Sequence, residues 1–134
     1  MWKCEPVVGS GLDVAEVAAL YRASTLAERR PVDDAERFAR MLAGANLVIA
    51  ARLDGRLIGI ARSITDGAYV TYLSDIAVDA EFQRRGVGRD LIRATREAAP
   101  RAKLVLLSAP AAVDYYPHIG FTRHESAWTR DALG

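Results

Sequence analysis

The chain has 134 residues, with 18 Lys and Arg against 17 Asp and Glu, a formal net charge of +1 and one cysteine. That length suits one domain over residues 1–134, large enough to bury roughly two thirds of its unfolded surface without covalent staples. Balanced charge argues against a nucleic-acid partner, the lone Cys4 excludes an internal disulfide, and His118 and His124 lack the companions a zinc site requires, so no metal is expected. The segment Met1 to Pro6 has no long apolar core, and no apolar run approaches a membrane span. A cytoplasmic chain with no membrane partner is the expectation.

Trp2 to Val8 reads as a brief first strand. Asp13-Val14-Ala15-Glu16 then has the capping-box arrangement, and Val14, Val17, Ala18 and Tyr21 follow on one apolar face, which predicts a first helix. The device recurs at Asp33-Asp34-Ala35-Glu36, leading through Phe38, Met41 and Leu42 to Gly44, a candidate left-handed terminator. Between the two helices, the polar stretch from Ser24 to Val32 contains the pair Arg29-Arg30, expected to be solvated.

Leu47 to Ala51 and Leu57 to Ala61 are apolar strands around Asp54-Gly55, whose backbone preference suits a hairpin. Asp66-Gly67 turns the chain again into a strand ending at Val78, completing an antiparallel meander. Simple alternation along that strand puts Tyr72, Ser74 and Ile76 on one face and Leu73, Asp75 and Ala77 on the other, unless a bulge changes the parity.

The stretch from Gln83 to Arg89 is the most informative in the chain. An apolar strand end, Ile76-Ala77-Val78, runs through this basic turn into a helix marked by Val87, Leu91, Ile92, Thr95 and Ala98 and stopped at Pro100. Gly86 and Gly88 permit close backbone approach, helix-start amides can converge on one anion, and Arg84, Arg85 and Arg89 add positive charge. This is a candidate polyphosphate site. No Gly-Lys-Ser/Thr follows, against a P-loop, and Arg84 stands where a dinucleotide fingerprint needs its first glycine. Beyond the helix, Leu104 to Leu107 reads as a strand buried on both faces and parallel to its predecessor, Ala111 to Tyr116 as a short helix, and Phe121 to about Arg130 as a last strand.

The spacing Gln83-x-x-Gly86-x-Gly88 resembles the acyl-CoA pyrophosphate loop of the GNAT superfamily of N-acyltransferases. Tyr115-Tyr116-Pro117-His118-Ile119-Gly120-Phe121 resembles that family's aromatic-Tyr-x-x-apolar-Gly-Phe segment. Both matches fall in the family's order, and the resemblance extends from about Leu47 to Phe121. The residues from Ala61 to Val78 are weakly similar to a subgroup that includes plant chloroplast arylalkylamine acetyltransferases.

The resemblance implies an α/β (α+β) GNAT fold, with a mixed, mostly antiparallel sheet, a splayed parallel strand pair and about four flanking helices. It implies acetyl-CoA as the acyl donor and direct transfer to a primary amine of a small molecule or peptide. In that scheme the pyrophosphate rests on amides from Arg84 through Arg85, Gly86, Val87 and Gly88 to Arg89, with Gln83 bracing the loop. Pantetheine pairs with the backbone at Ile76, Ala77 and Val78, and the Ile76 N–H is the oxyanion donor. Tyr116 aligns with the tyrosine that protonates the leaving thiolate, and Tyr115 suits a core role.

Relatives carry a Glu or His relay where this chain has Tyr72 and Ser74, so bound water is the default relay. Asp75, the lone carboxylate nearby, is a candidate relay or ammonium anchor. Ser108 stands where many relatives have Asn at the cofactor. A terminal strand short of the fuller family pattern is expected to be missing or supplied by a partner, and a homodimer is one option. Two other functions remain open: a non-catalytic acyl-CoA-binding regulatory module, and a protein or aminoacyl-tRNA acetyltransferase.

Overall fold

A computed structural model describes all 134 residues. Five strands form one sheet in chain order: β1 (Lys3–Val7), β2 (Leu47–Leu53), β3 (Arg56–Thr65), β4 (Val70–Val78) and β5 (Lys103–Val105). The first four pair antiparallel, and β5 pairs parallel to β4. Three α-helices accompany them, α1 (Val14–Ala23), α2 (Ala35–Gly44) and α3 (Val87–Ala98), with several single 3₁₀ turns.

Local chemistry sets most of these boundaries. Asp13 caps α1 by accepting from the amides of Ala15 and Glu16, and Asp34 caps α2 by accepting from Arg37. Asp54 and Gly55 both have positive φ, 50° and 83°, which gives the β2–β3 hairpin the twist its strands require. At the next reversal one Asp66 carboxylate oxygen accepts from the amides of Ala68, Tyr69 and Val70, replacing ladder bonds that the turn removes.

The sheet separates two apolar clusters. On one face α1 and α2 pack Val17, Leu20, Tyr21, Phe38 and Leu42 against Val48, Ala50, Leu57, Ile60 and Ala77. On the other, α3 packs Val87, Leu91 and Ile92 against Ile49, Ile58, Ala61 and Leu73. Gly59 lets α3 approach β3 closely: a Cβ there would lie 3.0 Å from side-chain carbons of both Leu91 and Val87. The indole N–H of Trp2 donates to Asp90 at 2.8 Å, tying the first residues to α3.

Several expectations are corrected. The helices number three rather than four, because Ala111 to Tyr116 forms only 3₁₀ turns at Pro110–Ala112 and Tyr116–Ile119. β5 ends at Val105, and its residues alternate exposed and half-buried rather than being covered on both faces. No strand forms after Phe121, where every residue is exposed. Gly44 is the last residue of α2 and does not take a left-handed conformation.

Simple alternation also fails along β4. Asp75 pairs with Arg62 and Leu73 with Ser63, so Ser74 is an extra residue without a partner on β3. This bulge turns Leu73 toward the α3 cluster and Ala77 toward the α1/α2 cluster, although they stand four residues apart. Ser74 and Asp75 consequently address the same network on the α1/α2 side.

Candidate functional site

β5 pairs with β4 at three positions only: Val70 with Lys103, Thr71 with Leu104 and Tyr72 with Val105. β4 runs on to Val78, held by β3 along its other edge. Its second edge from Leu73 to Val78, including Ile76 and Ala77, therefore has no neighbouring strand. An unpaired edge is a template for an extended ligand with amide groups.

That edge leads into the glycine turn. After a 3₁₀ turn at Ala80–Phe82, the Gln83 side-chain amide donates to the Val78 carbonyl at 2.9 Å. Arg84 (φ 65°) and Gly86 (φ 100°) are both left-handed, and they swing the chain into α3 at Val87. Gly86 is the N-cap and has no side chain to cap with. The Asp90 amide reaches Gly86 O, leaving the first-turn amides of Val87, Gly88 and Arg89 without acceptors inside the helix.

Arg84, Arg85 and Arg89 are exposed and take part in none of the ion pairs of the chain. Arg85 lies over the Phe82 ring at 5.4 Å. Arg56 also lies over that ring, but its charge is taken up by Asp79 and Glu81. An oriented set of amides beside three unneutralised guanidiniums is suited to a polyanion such as a pyrophosphate.

Tyr116 begins the last 3₁₀ turn. Its ring meets Tyr115 and Phe121 edge-on, each at 5.4 Å, and packs on the α3-side cluster that Ile76 and Val78 also touch. Burial, and then the neighbouring Tyr115, push its hydroxyl above the usual tyrosine pKa, so it carries its proton through the neutral range. Tyr115, expected in the core, is the more exposed of the two. Ser108 lies three residues beyond the end of β5 and is half-buried.

Asp75 is placed differently from its expected role. It is 1% exposed and accepts from Tyr21 Oη at 2.8 Å, Arg30 Nε at 2.5 Å, Arg62 Nε at 2.6 Å and Ser74 Oγ at 3.2 Å. Burial pulls its carboxyl upward, but the hydrogen bond and charge of Arg62, the charge of Arg30 and the hydroxyl of Tyr21 together outweigh it and leave it below the usual carboxylate range. A carboxylate with four donors already in place has no free lone pair for an ammonium group. Asp75 is a buried junction rather than a contact for an acceptor.

The residues that meet at Asp75 carried little signal in the sequence. Arg62 lies within β3 directly after the apolar run Leu57 to Ala61, where a cation needs a partner, and this is the one signal of the cluster that the sequence carries. Tyr21 belongs to an amphipathic stripe and reads as core packing alone. Arg30 is not solvated as expected, because its guanidinium turns inward to Asp75 and to the Ser74 carbonyl. Cys4 takes no part in this arrangement, and burial, helped by Asp90, pushes its thiol upward, away from thiolate chemistry.

The open-edged strand β4, with its short parallel neighbour β5, leads through a basic glycine turn into a helix, an α/β arrangement that sets an amide edge beside an anion site. A family model described as an acetyltransferase (GNAT) domain matches residues 19–133, and the chain belongs to the GNAT acetyltransferase family. It is 33% identical over 69 residues to GCN5-related N-acetyltransferase 2, chloroplastic, of Arabidopsis thaliana, a match spanning 49% of this chain and 27% of that protein. Among solved structures, a probable acetyltransferase from meticillin-resistant Staphylococcus aureus is similar at TM-score 0.74 and 22% identity, over 100% of this chain and 99% of that one. The aminoglycoside N-acetyltransferase AAC(6')-Iy in complex with CoA is similar at TM-score 0.74 and 18% identity, over 100% and 96% of the two chains. At these identities the likeness shows a shared fold.

Proposed function

We propose that this protein is an N-acetyltransferase that passes an acetyl group from acetyl-CoA directly to a primary amine of a small molecule or peptide. The observation carrying this reading is the continuous path from the open β4 edge, Leu73 to Val78, to the uncapped start of α3 with its unpaired arginines. The path joins an amide-rich edge to a polyanion cradle, and the two halves of coenzyme A differ in that way. Family membership supports the same donor.

Acetyl-CoA supplies an activated thioester when bound. The chain's residues then have separate tasks. Gln83 holds the turn against Val78, and the amides from Arg84 to Arg89 with their side chains hold the pyrophosphate. The backbone of Ile76 to Val78 aligns the pantetheine arm, and the Ile76 N–H polarises the carbonyl, a contribution of ~3 kcal/mol for donors of this type. Tyr116, protonated and packed on the same cluster as Ile76, keeps a proton at Oη for the departing thiolate.

Removal of the amine proton falls to water. The Ser74 hydroxyl is already engaged by Arg62 and Asp75, which leaves Tyr72 as the free hydroxyl on that side of β4. Tyr72 pairs with Ile64 on β3 and Val105 on β5, and all three are exposed apolar groups in one cross-strand row. The carbon skeleton of the acceptor lies against this row.

Acetyl-CoA consumption measured against a panel of arylalkylamines, aminoglycosides and amine-bearing peptides tests the reading. Turnover with at least one class, together with saturable acetyl-CoA binding, is the expected result. Tight acetyl-CoA binding with no turnover on any of them would instead mark a non-catalytic binding module.

A further inference from the structure

Arg30 stands in the segment that joins α1 to α2, on the α1/α2 side of the sheet, the side that Ser74 and Asp75 address and that we take as the acceptor side. Nothing in the cofactor scheme uses it, yet each of its three guanidinium nitrogens donates a hydrogen bond. Nε donates to Asp75 Oδ1 at 2.5 Å, one terminal nitrogen to the Ser74 carbonyl at 2.8 Å, and the other to the Arg29 carbonyl at 2.7 Å. The side chain retains 21% exposure, so it reaches the interior from the outer segment rather than belonging to the core.

Neutralising Asp75 does not require it. Arg62, on the neighbouring strand and 7% exposed, already pairs with the other Asp75 oxygen and also donates to Ser74 Oγ at 2.9 Å. What Arg30 adds is a partner for the Ser74 carbonyl. Ser74 is the unpaired residue of the bulge, and a bulge of this kind re-aims the backbone that follows it. Two residues further on is Ile76, and the direction of its N–H depends on how the bulge is held.

We infer that Arg30 is a positioning residue, which locks the β4 bulge through Ser74 and Asp75 and so couples the α1–α2 segment to the aim of the Ile76 amide. The inference rests on the function proposed above. Its mechanical consequence is that the acceptor-side segment cannot lift from β4 without releasing the bulged carbonyl. A planar fork is needed for this, because the two acceptors are met from adjacent nitrogens of one group. Lysine has a single ammonium and cannot reproduce both contacts in that plane.

The test compares Arg30→Ala and Arg30→Lys with wild type, and with Arg22→Ala, which removes an exposed arginine paired to Asp33. Amide hydrogen exchange in the acetyl-CoA-bound protein is expected to accelerate at Asp75 and Ile76 by about tenfold in Arg30→Ala, and not in Arg22→Ala. With the best amine of the panel, kcat should fall about 10²-fold while acetyl-CoA affinity and acceptor KM change little, as expected for misaimed backbone. Arg30→Lys should recover only a minor part of the loss, and ethylguanidinium chloride should restore rate to Arg30→Ala.

Wild-type exchange at Asp75 and Ile76 in a folded Arg30→Ala protein would overturn the inference, as would a kcat loss that ethylguanidinium leaves untouched. If Arg30→Ala does not fold, Arg30→Lys carries the exchange comparison. If wild type binds acetyl-CoA but acetylates no amine, the proposed function fails, and the exchange result still decides whether Arg30 holds the bulge.

Discussion

The Gln83 side chain donates to the Val78 carbonyl at 2.9 Å, so the residue that opens the glycine turn is fastened to the last residue of β4. The start of the turn is thereby tied to the end of the strand. Removing that bond should loosen the turn without disturbing either cluster. Gln83→Ala is expected to weaken acetyl-CoA binding about tenfold in calorimetry, with little change in melting temperature. Undiminished affinity would show that the turn holds its shape through Gly86 and Phe82 alone.

Gly86 and Gly88 differ in what they should tolerate. Gly86 has φ 100°, where an L-residue costs ~1–2 kcal/mol, so Gly86→Ala should lower stability. A Cβ on Gly88 would meet Ile76 and Val78 at an ordinary 3.9 Å, so Gly88→Ala should fold normally. Gly88→Glu should also fold, since a carboxylate in the first turn suits the helix dipole, yet lose acetyl-CoA binding. Thermal melts paired with binding isotherms separate these outcomes, and wild-type affinity in both Gly86→Glu and Gly88→Glu would remove the pyrophosphate from this turn.

Tyr116→Phe keeps the edge-on packing against Tyr115 and Phe121 and removes only the hydroxyl. Turnover is expected to drop on the order of 10²-fold, while acetyl-CoA affinity stays close to wild type. The measurement is a single-turnover rate, which isolates the chemical step from product release. An unchanged rate there returns Tyr116 to a packing role.

Asp75→Asn leaves two guanidiniums and the Tyr21 hydroxyl facing an amide that cannot neutralise them. A loss of about 3–5 kcal/mol in unfolding free energy is expected, the usual size for one removed partner of a buried ion pair. The carboxyl is held below its ordinary value, so its stabilising contribution is complete above the unfolded pKa of ~3.9 and is lost as pH falls through the folded value. Wild type should therefore lose stability in acid more steeply than the variant below about pH 4. Denaturant melts from pH 3 to 7 would show this, and parallel curves would mean that Asp75 does not carry the acid dependence.

Sequence alone determined the parts of this protein that local chemistry decides. The Asp13 cap, the left-handed Asp54-Gly55 hairpin, the meander and the passage from β4 through Gly86 into α3 depend on residues a few positions apart, and each followed from propensity and spacing. The glycine turn was legible for the same reason, because Gln83, Gly86 and Gly88 and the three arginines are all local to it.

Tertiary structure alone decided what lies on the α1/α2 side of β4. The bulge at Ser74 is a mismatch between two strands, fixed by pairing with β3, and no run of residues in β4 announces it. Asp75 looked like a free carboxylate because its partners, Tyr21, Arg30 and Arg62, come from a helix, a connecting segment and another strand. The segment after Val105 departs from its sequence pattern for a related reason: apolar residues there match strand and helix periods, but only neighbours across space can turn such a pattern into a paired strand.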